Sequence, residues 1–197
     1  MEGRLTTSIV LYGKIETDDM SQWQAFYHLS KQIITNLNLE PNYIGISGDF
    51  FSSKKIKTLA RMEMKLLKSF GDGRDIESLE IYALPENFTV AAFDYDMYIS
   101  RSKHVAFDYI IATLTSEAYQ NVDQEKLVRL LKRCINFDSG EIFELSYLES
   151  PVIYATKANA PSSFKTLRIL ENLANLDKVR LSSMFPEYSD HLKELIN

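Results

Sequence analysis

The sequence predicts an α+β fold in which a mostly antiparallel sheet, with a long central hairpin, carries three to four helices packed on it. Segments with strand character alternate with amphipathic helical segments in the order β-α-β-α-β-β-β-α-β-β-α. Two adjoining strand segments are rich in aromatic residues and predict the hairpin. A length of 197 residues fits a single globular domain over 1–197, with 157–197 as a C-terminal helical extension.

The first half of the chain alternates predicted strands with predicted helices. We expect Gly13 to form a bulge in the first strand, because a glycine inside a strand marks a bulge or a close backbone approach. Asp18 or Asp19 can cap the first helix, whose apolar residues, spaced by three and four, include Trp23 and Phe26. The predicted strands cover 8–15, 43–47 and 76–84, and the second helix covers about 53–70.

The second half begins with the hairpin, at 88–115. It continues with a helix at 122–137, whose apolar side includes Cys134. A turn at 138–140 leads to a strand at 141–148 and an extended piece at 152–156. After a linker-like stretch at 157–163, we predict a helix from about 162 to 175 and a short terminal helix from about 187.

The predicted hairpin alternates aromatic and acidic residues. The string AFDY occurs in it twice, at Ala92–Tyr95 and Ala106–Tyr109. Because alternate residues of a strand share a face, the aromatic residues and the carboxylates of each strand fall on opposite faces.

The length of the hairpin loop decides how these faces meet. A five-residue loop at 100–104 pairs Ile99 with Val105 and puts all the aromatic residues on one face. A four-residue loop mixes the two sets. We favour the loop with an odd number of residues, here five, since a slip by one residue would bury a carboxylate in the core face. The resulting acidic face is the predicted partner-binding site and consists of Asp94, Asp96, Tyr98, Asp108 and His104.

In this register Asp96 and Asp108 lie directly across from each other. Like charges at that spacing destabilise a sheet by up to about 1 kcal/mol, so a nearby Lys or Arg, a bound cation or a basic partner should compensate. Three interpretations remain open: solvated carboxylates on an open sheet face, a partner-binding face, and a magnesium or calcium site. A carboxylate triad on a flat sheet is not specific for metal, and we predict no metal ligands.

The predicted second helix has a basic side and an apolar side. The basic side is either a solvated face or a ridge that binds phosphate or acidic groups. Glu63 lies at the centre of the apolar side, where a carboxylate must pair, protonate or face a cleft; it is the second candidate site. The basic side consists of Lys54, Lys57, Arg61, Lys65 and Lys68.

Composition excludes several classes of protein. A net charge of −5 argues against a protein that coats nucleic acid and leaves room for a basic protein partner. The single cysteine, Cys134, rules out an intramolecular disulfide. The N-terminus lacks a signal-peptide pattern, and no apolar stretch approaches the roughly 20 residues that span a bilayer. We therefore expect a cytoplasmic protein without a membrane partner.

The chain contains no catalytic signature. The turn GISGD lacks the spacing of a phosphate-binding loop, and the three histidines are scattered without metal-ligand spacing. No grouping of Ser, His and Asp resembles a triad. We predict a protein that is not an enzyme, with no catalytic residues and no cofactor. Two alternatives remain: a small enzyme using carboxylates such as Glu63, Asp94 and Asp96, and a self-assembling protein that pairs through an exposed sheet edge.

The strands FDYDMY and AFDYIIA, together with the order SIVLYGKIE–SQWQAFYHLSKQII–YIGIS, give the first three quarters of the chain a family likeness. This part resembles the immunity proteins of bacterial toxin systems, including those of type VI secretion. The resemblance implies an antitoxin of interbacterial competition that binds its cognate secreted toxin one to one and blocks its active site or substrate path. The toxin is often a nuclease in this family. An acidic, tyrosine-flanked surface would be attracted to such a basic partner.

Overall fold

The structure is a computed structural model that describes residues 4–16, 19–48, 51, 56–73, 75–103 and 107–174. Its centre is an eight-stranded sheet of strand order β3-β2-β4-β5-β6-β1-β7-β8, in which every pair of neighbours is antiparallel. The strands are β1 (Leu5–Lys14), β2 (Tyr43–Ser47), β3 (Lys57–Thr58), β4 (Ser78–Ala83), β5 (Met97–Ser102), β6 (Asp108–Thr115), β7 (Asn136–Ser146) and β8 (Arg168–Ala174). The predicted α+β class is confirmed.

Helices cover one face of the sheet, which we call the helix face. They are α1 (Met20–Asn36), α2 (Leu59–Gly71), α3 (Ser116–Gln120) and α4 (Gln124–Lys132). A fifth helix, α5 (Pro151–Ala155), contributes to the opposite face, which we call the second face. No helix of the described residues combines the length and the apolar character needed to cross a bilayer.

Strand alternation gives each face its own core. In β1, Ile9 and Leu11 pack under the helices, whereas Val10 and Tyr12 belong to a separate hydrophobic cluster on the second face. Both sides of the central strands are therefore buried, unlike the half-exposed sheet that we predicted for the hairpin. Every residue of β5 is buried.

The first strand and helix follow the prediction closely. Asp19 caps α1 by accepting hydrogen bonds from the backbone N–H groups of Ser21 and Gln22. Trp23 and Phe26 are fully buried on the predicted apolar side. The bulge at Gly13 is confirmed, because the pairing of β1 with β7 shifts register between Tyr12 and Gly13. A Cβ at this position would collide with the carbonyl oxygen of Asn136, so glycine is the residue that fits.

The central hairpin differs from the prediction in length and register. Residues 88–96 form turns instead of a strand, because the Asp94 carboxylate binds nearby backbone N–H groups in competition with a sheet ladder. Ile99 pairs with Ala112, not with Val105, and Ser102 pairs with Tyr109. Six residues separate Ser102 from Tyr109, so the loop has an even number of residues and the aromatic and acidic sets are mixed on each face. Our odd-loop register was wrong because it assumed that one face of the hairpin is open.

Several element boundaries in the second half also differ. The predicted turn at 138–140 lies inside β7, and the predicted extended piece at 152–156 is α5. Ser150 accepts from the backbone N–H of Ile153, and Pro151 occupies the first turn, a typical helix start that we did not recognise.

At the C-terminal side, the predicted helix at 162–175 is wrong. Pro161–Ser163 is a single 3-10 turn, and β8 follows it. Pairing with the edge of β7 overrides the helical pattern of this segment. The expected helical extension over 157–197 is therefore not helical up to residue 174, apart from that turn. The terminal helix from about 187 lies outside the described residues.

Candidate functional site

The structure does not bring the predicted acidic face together. Asp108 lies at the end of the sheet where β1 finishes, and its Oδ2 accepts the backbone N–H of Ile15 at 2.8 Å. Asp96 immediately precedes β5, at the opposite end of the sheet. Tyr98 is buried in the second-face cluster. His104 lies outside the described residues. The predicted like-charge pair of Asp96 and Asp108 is therefore wrong, because its register was wrong.

Asp94 organises the turn that leads into β5. Its Oδ2 accepts backbone N–H groups from Thr89 at 2.8 Å and from Val90 at 2.7 Å. These two hydrogen bonds keep the pKa of the Asp94 carboxyl below its ordinary value, so the group is ionised at neutral pH.

Asp96 ties the same turn segment to the start of β1. Nη2 of Arg4 lies 2.9 Å from Oδ1 of Asp96 and 3.2 Å from the carbonyl oxygen of Tyr95. An exposed ion pair contributes about 0–1 kcal/mol, so its main effect here is positional. The Arg4 carbonyl also accepts the backbone N–H of Tyr147 at 2.9 Å, which brings the end of β7 to the same place.

This end of the sheet carries large exposed apolar side chains. The exposed fractions are 43% for Leu5, 47% for Val90 and 66% for Leu148. Hydrogen bonds connect their segments through Arg4, Asp96 and Asp94, as described above. Single exposed apolar side chains are common, but several of them on hydrogen-bonded segments at one end of a sheet, beside charged side chains, suit a protein interface. We call this the Leu5 surface; it consists of Arg4, Leu5, Val90, Asp94, Asp96 and Leu148.

Glu63, the second candidate site, holds α2 against α1. Its Oε1 accepts a hydrogen bond from Nζ of Lys31 at 2.7 Å and another from the Tyr27 hydroxyl at 2.5 Å. The bond from Lys31, followed by that from Tyr27, lowers the pKa of the Glu63 carboxyl. Of the alternatives for this residue, the paired carboxylate is the one observed, although its side chain is only partly buried.

The alternative set of catalytic carboxylates is not assembled. Glu63 lies on a helix of the helix face, whereas the turn that carries Asp94 packs Phe88 and Tyr95 into the second-face cluster. Among the described residues, no group of three or more His, Cys, Asp and Glu side chains could hold a metal ion.

The basic side of the second helix is shorter than predicted, because α2 begins at Leu59. Lys57 belongs to β3, and Lys54 lies outside the described residues. Arg61, Lys65 and Lys68 remain on the exposed side of α2.

Sequence reasoning missed a partly buried carboxyl on the second face, that of Glu80. The Tyr82 hydroxyl donates to Oε2 of Glu80 at 2.7 Å, and the rings of Tyr82 and Tyr98 lie 4.9 Å apart. Burial raises the pKa of the Glu80 carboxyl. The strand period of two, which puts Glu80 and Tyr82 on one face of β4, was the signal that could have found it.

Arg101 was also missed, because the prediction placed it in the hairpin loop. Its side chain is fully buried, donates from Nε to the Cys134 carbonyl and from Nη2 to Oε1 of Gln22, both at 3.0 Å, and lies 4.1 Å from the centre of the Trp23 ring. Burial lowers the pKa of the guanidinium to about 10. Arg101 joins β5, α1 and the segment after α4. Cys134 itself is buried, as predicted.

Comparisons with known proteins find similarity to a solved structure. No protein-family model matches the chain, and no curated protein matches it. Among solved structures, the chain is similar to the Pseudomonas aeruginosa T6SS protein PA0821, with 12% sequence identity and a TM-score of 0.49. The similar region covers 76% of this chain and 43% of that chain, so this chain spans less than half of that protein's length.

Proposed function

We propose that this protein is a cytoplasmic immunity protein, which binds a cognate secreted antibacterial toxin and inhibits it. The observation that carries this proposal is the Leu5 surface. It presents Leu5, Val90 and Leu148 to solvent on segments that hydrogen bonds hold in place. A surface organised before binding loses little conformational entropy when a partner docks.

The chemistry of the surface suits a basic partner. Burial of the three apolar side chains would supply affinity, at about 25 cal/mol per Å² of apolar area removed from water. The ionised Asp94 carboxylate and the net charge of −5 would attract a positively charged toxin and speed its encounter. A nuclease has a positively charged surface. An inhibitor that covers its substrate path would block it without taking part in any chemical step.

The test uses the protein encoded by the neighbouring gene as the toxin. Cells that express this toxin should survive only when the present chain is co-expressed, and the two purified proteins should bind in calorimetry. We expect Leu148→Asp and Val90→Asp each to weaken binding at least about tenfold, because each puts a charge into the centre of the interface. The matched control is Met64→Asp on α2, since Met64 is 77% exposed and lies outside the Leu5 surface.

Two outcomes would contradict the proposal. If the wild-type chain neither binds the neighbouring protein nor protects cells from it, the immunity function is wrong. If it protects cells but Met64→Asp weakens binding more than Leu148→Asp and Val90→Asp do, the interface has been assigned to the wrong surface. Circular dichroism of each variant separates loss of binding from loss of fold.

A further inference from the structure

The strand β8 forms an outer edge of the sheet. It is the last strand in the sheet order, and among the described residues no strand pairs with its outer side. Six of its seven residues are exposed, including Ile169 and Leu170 at 41% each. An exposed edge with apolar side chains is a template for another strand, and proteins usually protect such edges with charges.

The charges on this edge have opposite signs. Arg168 and Glu171 pair with Glu144 and Ile142 of β7, and a register shift at Leu170 places both on the same face of the sheet although they are three residues apart. Like charges protect an edge because they meet when two edges pair. Here a two-fold axis between Ile169 and Leu170 would bring Arg168 of one copy opposite Glu171 of the other, twice, and Ile169 opposite Leu170. Opposite charges in direct cross-strand positions stabilise a sheet.

We propose that a second copy of this chain pairs with β8, antiparallel and in this register, to form a continuous sheet through both protomers. Arg168 can serve both of its partners. Its Nη2 lies 2.7 Å from Oε2 of Glu144 in its own chain, yet its side chain is 69% exposed. A guanidinium has five N–H donors, so a second carboxylate can bind the remaining ones.

A groove beside the edge strand β8 can receive a side chain of the second copy. It has a volume of about 510 Å³ and lies between α4 and the strands β7 and β8. Val128, Ile142 and Leu173 line it together with the polar or charged residues Gln124, Glu125, Arg129, Lys132 and Glu171. In the proposed register, Arg168 of the second copy lies opposite Glu171, on the side of the groove away from the two basic residues of α4. The methylene stem of that arginine can cover the apolar residues while its guanidinium binds Glu171.

Sedimentation equilibrium of the full chain tests the proposal, with charge reversal as the diagnostic. We expect a reversible dimer, and Arg168→Glu or Glu171→Arg should each raise its dissociation constant about tenfold or more, since two attractive pairs become two repulsive ones. The double variant Arg168→Glu/Glu171→Arg should restore dimerisation. Arg61→Glu on α2 is the matched control and should leave the constant unchanged. Glu171→Arg keeps the internal pair of Arg168 with Glu144, so it separates effects on the edge from effects on the fold.

A chain that remains monomeric at high concentration would overturn the proposal. So would a dimer that both single reversals leave intact, because its interface would then lie elsewhere. Failure of the double variant to recover, while the double variant itself stays folded by circular dichroism, would overturn the register. Since the Leu5 surface is not involved, dimerisation and toxin binding can fail independently.

Discussion

Two glutamates on opposite sides of the sheet experience opposite environments. Glu63, above the helix face, accepts hydrogen bonds from Lys31 and Tyr27, which lower the pKa of its carboxyl. Glu80, on the second face, has one hydrogen bond, from Tyr82, and burial raises the pKa of its carboxyl. The Glu63 carboxylate has a cation beside it, which favours its ionised form, whereas burial of Glu80 favours its protonated form.

The two faces of the sheet differ in the same way as these two glutamates. The helix face buries aliphatic and aromatic side chains beneath regular helices, and its buried cation, Arg101, stacks on Trp23. The second face buries tyrosines around Glu80 beneath turns and the short helix α5. We infer that packing stabilises both faces, and that the second face adds a pH-dependent contribution through the Glu80 carboxyl.

The largest effect should come from the helix face. Phe26→Ala removes a fully buried ring and should lower the free energy of unfolding by about 3–5 kcal/mol, through lost burial and a cavity. Urea denaturation measures this loss, which should be the same at acid and neutral pH because no titrating group is removed. A loss that changes strongly with pH would show that packing and protonation are not separated between the two faces.

The contrast also explains which features could be predicted from the sequence. Asp19, Gly13 and the apolar side of α1 act locally, so capping, bulge formation and periodicity identified them. The register of β5 against β6 depends on what covers the sheet, and this information is not local. A strand buried on both sides has no open face to indicate its orientation, so the alternation of AFDY was misleading.

The candidate site shows the same division. Asp94 and Asp96 were recognised as exposed acids, but their segment forms turns, and the contact of Asp96 with Arg4 joins residues 92 positions apart in the chain. Sequence reasoning singled out Glu63, from its place on an apolar helix side, and left open whether it pairs, protonates or faces a cleft. It overlooked Glu80 because one acid in an otherwise apolar strand resembles an ordinary exposed position.

The second-largest effect on stability should come from Glu80, on the second face. Below its ordinary pKa of 4.5, the carboxyl is protonated in both the folded and the unfolded chain. As pH rises from there, the unfolded chain loses its proton first, so stability falls until pH passes the raised pKa of the folded state. Glu80→Gln keeps the shape without this loss. It should increase the free energy of unfolding at pH 7 by on the order of 1 kcal/mol, with little change at pH 4.

Urea denaturation of both proteins across this pH range measures the difference, and Glu77→Gln, an exposed acid adjoining the same strand, is the control. A destabilised Glu80→Gln at neutral pH would mean that the ionised carboxylate is the form that the second face favours.

The smallest effect should come from Glu63, with the opposite sign. Its pKa lies below 4.5 in the folded chain, so its ion pair stabilises the fold above pH 4.5, and this stability is lost as pH falls through the lowered pKa. Glu63→Gln should therefore lower the free energy of unfolding at pH 7 by a few tenths to about 1 kcal/mol, the range for partly exposed pairs. Added salt should shrink this loss, because screening weakens the Lys31 pair but leaves the Tyr27 hydrogen bond.

Denaturation of Glu63→Gln and Glu80→Gln in parallel would reveal the contrast directly, since their effects at pH 7 should differ in sign. Equal signs would mean that the sheet does not separate two electrostatic environments.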